Sequence, residues 1–309
     1  MRVVNRERAE FFLSALQRRA PVYSRHVVQT YRTHPETFAF LGGRLLELAE
    51  SMLGADYTDV LIDGYVFFVN EVNRSQMVYE KERQYRFKSY AEVLPRVYGA
   101  QDYMNKYHWG VYVTTFAWAH HLEIYTFYVD HFLSRLSGRI DGALVDLGSG
   151  SGVWSILALD RLENWRSYGV DISATSVSTC QRMIQAAGLD RRFDVRHGDA
   201  LSFRPGQTAD AAVSCFLLEH LEAPQRLLQA LHELMGDRSY AFVTTALTAA
   251  EIDHIYEFRA ESELLTLAEG VGFRVVAMLS SAPKATPESS FFLPRSAALV
   301  LQKRRNEIW

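Results

Sequence analysis

Apolar positions recur at three- and four-residue steps over residues 6–31, 36–53 and 57–79, a spacing that predicts helices. Leu45, Leu46, Leu48 and Met52 show it in the second of these. Residues 78–87 are charged and polar and read as a loop or a small hairpin. From Ala143 the pattern changes, and short apolar runs alternate with helical stripes. Residues 143–145, 168–171, 193–197, 210–216 and 240–245 predict five strands. Between them, helical periods open at Val153, run from Val177 through Ile184 to a stop at Gly188, and run from Leu227 to Met235, closed by Gly236. Another helix over 263–268 ends near Gly270, and strands over 273–278 and 297–302 flank a proline-bearing loop, 280–294. Strand–helix alternation predicts an α/β domain with a mainly parallel sheet. The long connection between the last two strands suits an antiparallel hairpin at its edge.

The sharpest local feature lies where the first strand meets its helix: Asp146-Leu147-Gly148-Ser149-Gly150-Ser151-Gly152. A strand, a glycine turn and a helix start place backbone N–H groups against a ligand. Glycine suits the turn because the chain must bend sharply and a Cβ would hold the ligand away. A dinucleotide fingerprint needs glycines at the first, third and sixth positions. Counting from Gly148 the sixth is Val153, and from Gly150 it is Ser155, so both registers fail. Asp171 ends the second strand about twenty residues on, where a carboxylate accepts ribose hydroxyls in Rossmann-like units.

The D-x-G-x-G-x-G pattern with these downstream intervals resembles motif I of class I S-adenosylmethionine (SAM)-dependent methyltransferases, over residues 139–309. The resemblance implies a seven-stranded Rossmann-like sheet, mostly parallel with an antiparallel last strand. It implies SAM as cofactor and S-adenosylhomocysteine as its product. It puts Gly148, Ser149, Gly150 and Gly152 under the amino-acid end of SAM and Asp146 near its ammonium. Asp171 and Ile172 would lie at the ribose, Asp199 and Ala200 at the adenine, and Phe216 beside the cofactor after the fourth strand. His220, in a Glu-His pair that often opens a helix there, joins the substrate side.

Residues 1–138 read as a mainly helical domain for lid, substrate or oligomer contacts, with a homodimer through these helices expected. Its most aromatic stretch runs from Tyr103 to Tyr128. Such a helix packs in a core or interface, or roofs a site where ring faces stabilise a sulfonium. On the second reading Tyr107, His108, Trp109 and Tyr112 line a pocket, and Gly110 lets a ligand or backbone approach. His120 and His121 cannot share a helical face, so one at most points inward. No H-x-x-x-H or E-x-x-H pair joins His108, His120, His121, Glu123 and His131, so no metal is expected. Asp253 and His254 follow the fifth strand at the carboxyl edge, where open α/β sheets bind ligands. His254 is the first candidate for a general base, oriented by Asp253, with His108 second. Phe291 and Phe292 are candidates to close over a substrate or to meet a second subunit.

Composition narrows the function classes. A net charge of −3 without a basic run gives no reason to expect nucleic acid or an anionic membrane. No apolar run approaches a membrane span and no leader is read, so a cytoplasmic location is expected. Two cysteines, Cys180 and Cys215, read as core thiols rather than a disulfide. The expected activity is methylation of a small molecule of aromatic or apolar character, as in secondary metabolism. Two alternatives stay open: a cyclase that uses bound SAM as a cation, and a non-catalytic assembly partner.

Overall fold

The computed structural model describes residues 6–282 and 293–304. Its sheet is built from β1 (Gly142–Leu147), β2 (Trp165–Asp171), β3 (Phe193–His197), β4 (Ala209–Cys215), β5 (Met235–Leu247), β6 (Phe273–Ser281) and β7 (Arg295–Lys303). The order is β3-β2-β1-β4-β5-β7-β6. The first five run parallel to one another, and β7 runs antiparallel to both β5 and β6. Order reverses between β1 and β4, which opens a crevice beyond their carboxyl ends, the place where such sheets hold ligands. Helices α9 (Val153–Leu159), α10 (Ala174–Ala186), α11 (Gln225–Leu234) and α12 (Glu261–Val271) cover its faces.

The N-terminal part comprises α1 (Arg6–Arg19), α2 (Pro21–Thr33), α3 (Pro35–Leu53), α4 (Tyr57–Glu82), α5 (Tyr90–Val93), α6 (Gln101–Ala117), α7 (Ala119–Phe127) and α8 (Ser134–Leu136), with a wide π turn at Tyr128–Leu133. The helix expected over 6–31 is two helices, because Pro21 has no N–H to continue α1 and instead starts α2. The stretch expected as a loop or hairpin from residue 78 is helical to Glu82, where Arg83 takes a left-handed conformation and stops it. Tyr79 explains the extension: its ring is buried, and its hydroxyl donates to Glu257 at 2.6 Å. Met235 and Gly236, expected to close α11, instead begin β5. Among the described residues no helix is long and apolar enough to cross a membrane.

One apolar core runs across residue 138. Phe12, Phe38 and Phe116 meet edge to face between α1, α3 and α6. The same core continues through Tyr128 and Phe132 onto Phe242 of β5, with Tyr128 donating its hydroxyl to the Trp154 carbonyl at 3.0 Å. A second core fills the opposite sheet face beneath α11 and α12. The N-terminal helices are thereby packed on one face of the sheet. Cys180 and Cys215 are free thiols.

Candidate active site

Gly148, Gly150 and Gly152 all have positive φ, and each answers a different constraint. A Cβ on Gly148 would meet Leu217 at 2.7 Å, and one on Gly152 would meet the Cys180 sulfur at 2.6 Å and Phe193 at 2.9 Å. A Cβ on Gly150 would meet nothing within 4 Å, because it would project into open space. Asp171 ties the turn down: Gly150 N–H donates to its Oδ2 at 2.8 Å and Ser173 N–H to its Oδ1 at 2.9 Å. Burial raises the Asp171 pKa, although those two N–H donors favour the carboxylate.

Gly150 also lines a cavity of about 1370 Å³. A site for one drug-sized ligand is typically about 300–1,000 Å³, so two small molecules fit together. Gly148, Ser149, Gly150, Asp171, Ile172, Asp199, Ala200 and Phe216 all contribute to its wall, as expected for one ligand. Phe216 reaches its place through a strained backbone with φ of 54°, its N–H donated to both the carbonyl and hydroxyl of Thr244. Two residues expected at that ligand are elsewhere. Asp146 is buried beneath the loop, accepts the Ser155 hydroxyl at 2.6 Å, and forms no part of the cavity wall. Burial pushes its pKa up to about 7. Gly152 faces α10 and β3, so its small size serves helix-to-strand packing.

The roof comes from α4, α6 and α7. Tyr107, His108 and Tyr112 line the cavity, but Trp109 does not. Its side chain lies over Gly64 and its ring meets Tyr112 edge-on. Gly110 is small because backbone approaches it: a Cβ would stand 2.7 Å from the Gly64 carbonyl and 2.2 Å from Phe68. His120 and His121 both line the cavity, contrary to the one-face expectation. The helix breaks at Trp118, which is extended between α6 and α7, and both imidazoles gather beyond the break with ring centres 4.4 Å apart. Burial lowers the His108 and His120 pKa values to about 4, so both are neutral at pH 7. The Nε2 of His108 has no hydrogen-bond partner among the described residues.

A polar cluster occupies the other side of the cavity. Asp253, expected to orient His254, pairs instead with His220, whose Nδ1 is 3.4 Å from its carboxylate and 3.2 Å from its carbonyl oxygen. Tyr98 and Tyr107 donate their hydroxyls to the same carboxylate, each at 3.1 Å, and Tyr107 also donates to Glu251 at 2.6 Å. His254 turns its Nδ1 to the Ala249 carbonyl at 2.8 Å, and burial lowers its pKa to about 3. Burial opposes charge on His220, yet Asp253, Glu219 and Glu251 outweigh it and raise its pKa. Glu251 is pushed up to about 8 by burial and by the Asp253 charge. Glu219 is fully buried and accepts from the Thr245 hydroxyl at 2.7 Å and the Ala246 N–H at 3.0 Å.

Tyr98, Glu219 and Glu251 carried no signal as site residues in the sequence. Only the adjacency of Glu219 to His220 could have drawn attention to it. Phe291 and Phe292 lie outside the described residues.

A family model described as a methyltransferase domain matches residues 144–237, the span from β1 through the start of β5. That span, and no more of the chain, matches a methyltransferase domain, and it holds the glycine turn, Asp171 and His220. The chain is 40% identical over 73 residues to ribosomal RNA large subunit methyltransferase G of Magnetococcus marinus. That match covers 24% of this chain but only 20%, about a fifth, of the relative. A putative sarcosine dimethylglycine methyltransferase from Galdieria sulphuraria is similar in structure, with TM-score 0.48 and 13% identity over 59% of this chain and 88% of that one. The [4+2]-cyclase SpnF is similar with TM-score 0.46 and 16% identity over 55% of this chain and 80% of its own.

The residues lining this floor fit the cofactor that the motif resemblance implies. Gly150 leaves the floor clear, and the Asp171 oxygens keep lone pairs free for two hydroxyls after serving their backbone donors. The exposed Asp199 uses one oxygen for Leu201 N–H, leaving the other for a donor such as an exocyclic amine.

Proposed function

We propose that this protein methylates a small molecule of aromatic or apolar body, of the kind made in secondary metabolism. The observation that carries this reading is the single cavity joining the Gly150 floor to the His220–Asp253 cluster under an aromatic roof. Bound SAM supplies an electrophilic methyl group on a cationic sulfur. The chain's own task is then alignment and exclusion of water, since most of the acceleration in a displacement comes from holding the partners in line. Residues 139–309 supply the floor, and the roof of Phe68, Tyr107 and His121 is rich in ring faces.

His220 is the side chain best suited to receive the acceptor's proton. Its Nδ1 faces the Asp253 carbonyl, which can only accept, so a neutral ring carries its lone pair on Nε2. The imidazolium formed there is held by Asp253 and Glu219. His254, the expected base, is a weak one at a pKa of about 3. His108 is neutral and without a partner, which suits it to bind a hydroxyl of the substrate.

The test is calorimetric titration with S-adenosylhomocysteine, NADH and NADPH serving as controls, followed by incubation with SAM and a panel of phenols, amines and rRNA fragments. Small-molecule-dependent release of S-adenosylhomocysteine is expected. Release with rRNA alone would sink the proposal, and rearrangement of a substrate with SAM unconsumed would favour the cyclase alternative.

A further inference from the structure

The two buried imidazoles in the polar cluster are arranged alike. His254 donates Nδ1–H to the Ala249 carbonyl at 2.8 Å, and the His220 Nδ1 faces the Asp253 carbonyl at 3.2 Å. Both neutral rings therefore present Nε2 as a bare lone pair. Among the described residues neither Nε2 has a hydrogen-bond partner, although His254 is only 2% exposed and lies in the cavity wall. The Glu219 carboxylate joins them: one ligand atom from each of Glu219, His220 and His254 lies within 4.8 Å of the others. Its orientation is fixed by the Thr245 hydroxyl and Ala246 N–H.

We propose that Glu219, His220 and His254 form a binding site for a divalent transition-metal ion of the Zn²⁺ class. Two imidazoles and one carboxylate make a donor set that leaves an open position on such an ion. Ligating imidazoles characteristically donate their other N–H to a carbonyl or carboxylate, and ligating carboxylates are themselves hydrogen-bonded, as all three are here. The rings stand perpendicular, at 88°, with centres 4.9 Å apart. Two imidazoles on one tetrahedral ion place their ring centres roughly 5 Å apart. Asp253 and Glu251 form a second group within the same 4.8 Å limit around His254, adding carboxyl oxygens beside the ion.

Ion binding goes beyond the methyl-transfer reading. An ion at His220 Nε2 leaves no lone pair there for a proton, so ion binding and proton acceptance by His220 exclude each other. No local spacing announces the site, because His220 and His254 come from segments joined only by the fold.

The experiment is titration of chelator-treated, tag-free protein with Co²⁺ and Zn²⁺, with S-adenosylhomocysteine binding measured on the same samples. The expected result is one ion per chain and a cobalt ligand-field spectrum. His254→Ala and Glu219→Gln should each weaken binding at least tenfold. X-ray absorption of the zinc-loaded wild type should count two imidazoles, a readout that needs no variant to fold. Absence of stoichiometric binding, or a wild-type ion with fewer than two imidazoles, overturns the proposal. Undiminished affinity in both folded variants does so too. Loss of S-adenosylhomocysteine binding with the metal retained would instead count against the methyl-transfer reading.

Discussion

Two glycines in one turn give opposite predictions when each is changed to alanine. Both have positive φ, 54° at Gly150 and 75° at Gly152, so each alanine costs about 1–2 kcal/mol of backbone strain. At Gly150 that is the whole cost to stability, since the new methyl meets no protein atom within 4 Å. At Gly152 the methyl falls 2.6 Å from the Cys180 sulfur and 2.9 Å from Phe193, adding about 1–3 kcal/mol of overpacking. A loss of about 2–5 kcal/mol lowers Tm by roughly 3–8 °C in a chain of this size, against about 2–3 °C for Gly150→Ala. Ligand affinity reverses the ranking. The Gly150 methyl enters the volume assigned to the cofactor, and an overpacking cost of about 1–3 kcal/mol weakens binding by about 5- to 150-fold. Thermal melts and calorimetry with S-adenosylhomocysteine read both quantities. Should Gly150→Ala bind within twofold of wild type, the floor of the site has been misplaced. Equal melting of the two variants would refute the packing account of Gly152.

Other perturbations separate the remaining roles. Asp171→Asn must turn an NH2 toward either the Gly150 or the Ser173 N–H donor, so S-adenosylhomocysteine should bind about 10- to 100-fold more weakly; unchanged affinity would remove Asp171 from the site. His220→Gln should slow transfer by about 10²–10⁴-fold with little change in S-adenosylhomocysteine affinity, and an unaltered rate would exclude His220 as proton acceptor. His108 makes stability depend on pH. Burial lowers its folded pKa to about 4 against an unfolded 6.5, so the unfolded chain binds the extra proton, and stability present above 6.5 is lost as pH falls toward 4. At pH 5 that loss is about 2 kcal/mol. Asp146 and Glu251, held at about 7 and 8, act with opposite sign, so the readout is the difference between proteins. His108→Leu should gain about 2 kcal/mol on wild type between pH 7.5 and 5 in denaturant titrations; parallel pH profiles would contradict it.

What the sequence disclosed follows the range of the forces involved. The β1 turn was legible because its constraints are local: three positive-φ positions, a strand before and a helix after, and a carboxylate at the next strand end. The sheet was legible because each strand carries its own apolar run, and the long connection between β6 and β7 pointed to the antiparallel hairpin that forms one edge. The roof was less so. Trp109 and Tyr112 sit on one helix, and which of them faces the cavity depends on how closely α4 crosses at Gly64 and Gly110. His120 and His121 both turn inward only because Trp118 breaks the helix before them. The polar cluster was the least legible part. His254 and Asp253 are neighbours in the chain, which invited their pairing, yet adjacent residues in an irregular segment need not face each other. The fold decides instead: the N–H groups of Ile255 and Tyr256 donate to the Glu219 carbonyl at 2.8 and 2.9 Å, stitching the two segments together. That backbone link carries Asp253 to His220 and leaves His254 against Ala249. A contact made by backbone atoms is indifferent to side-chain identity, so no residue pattern could have reported it.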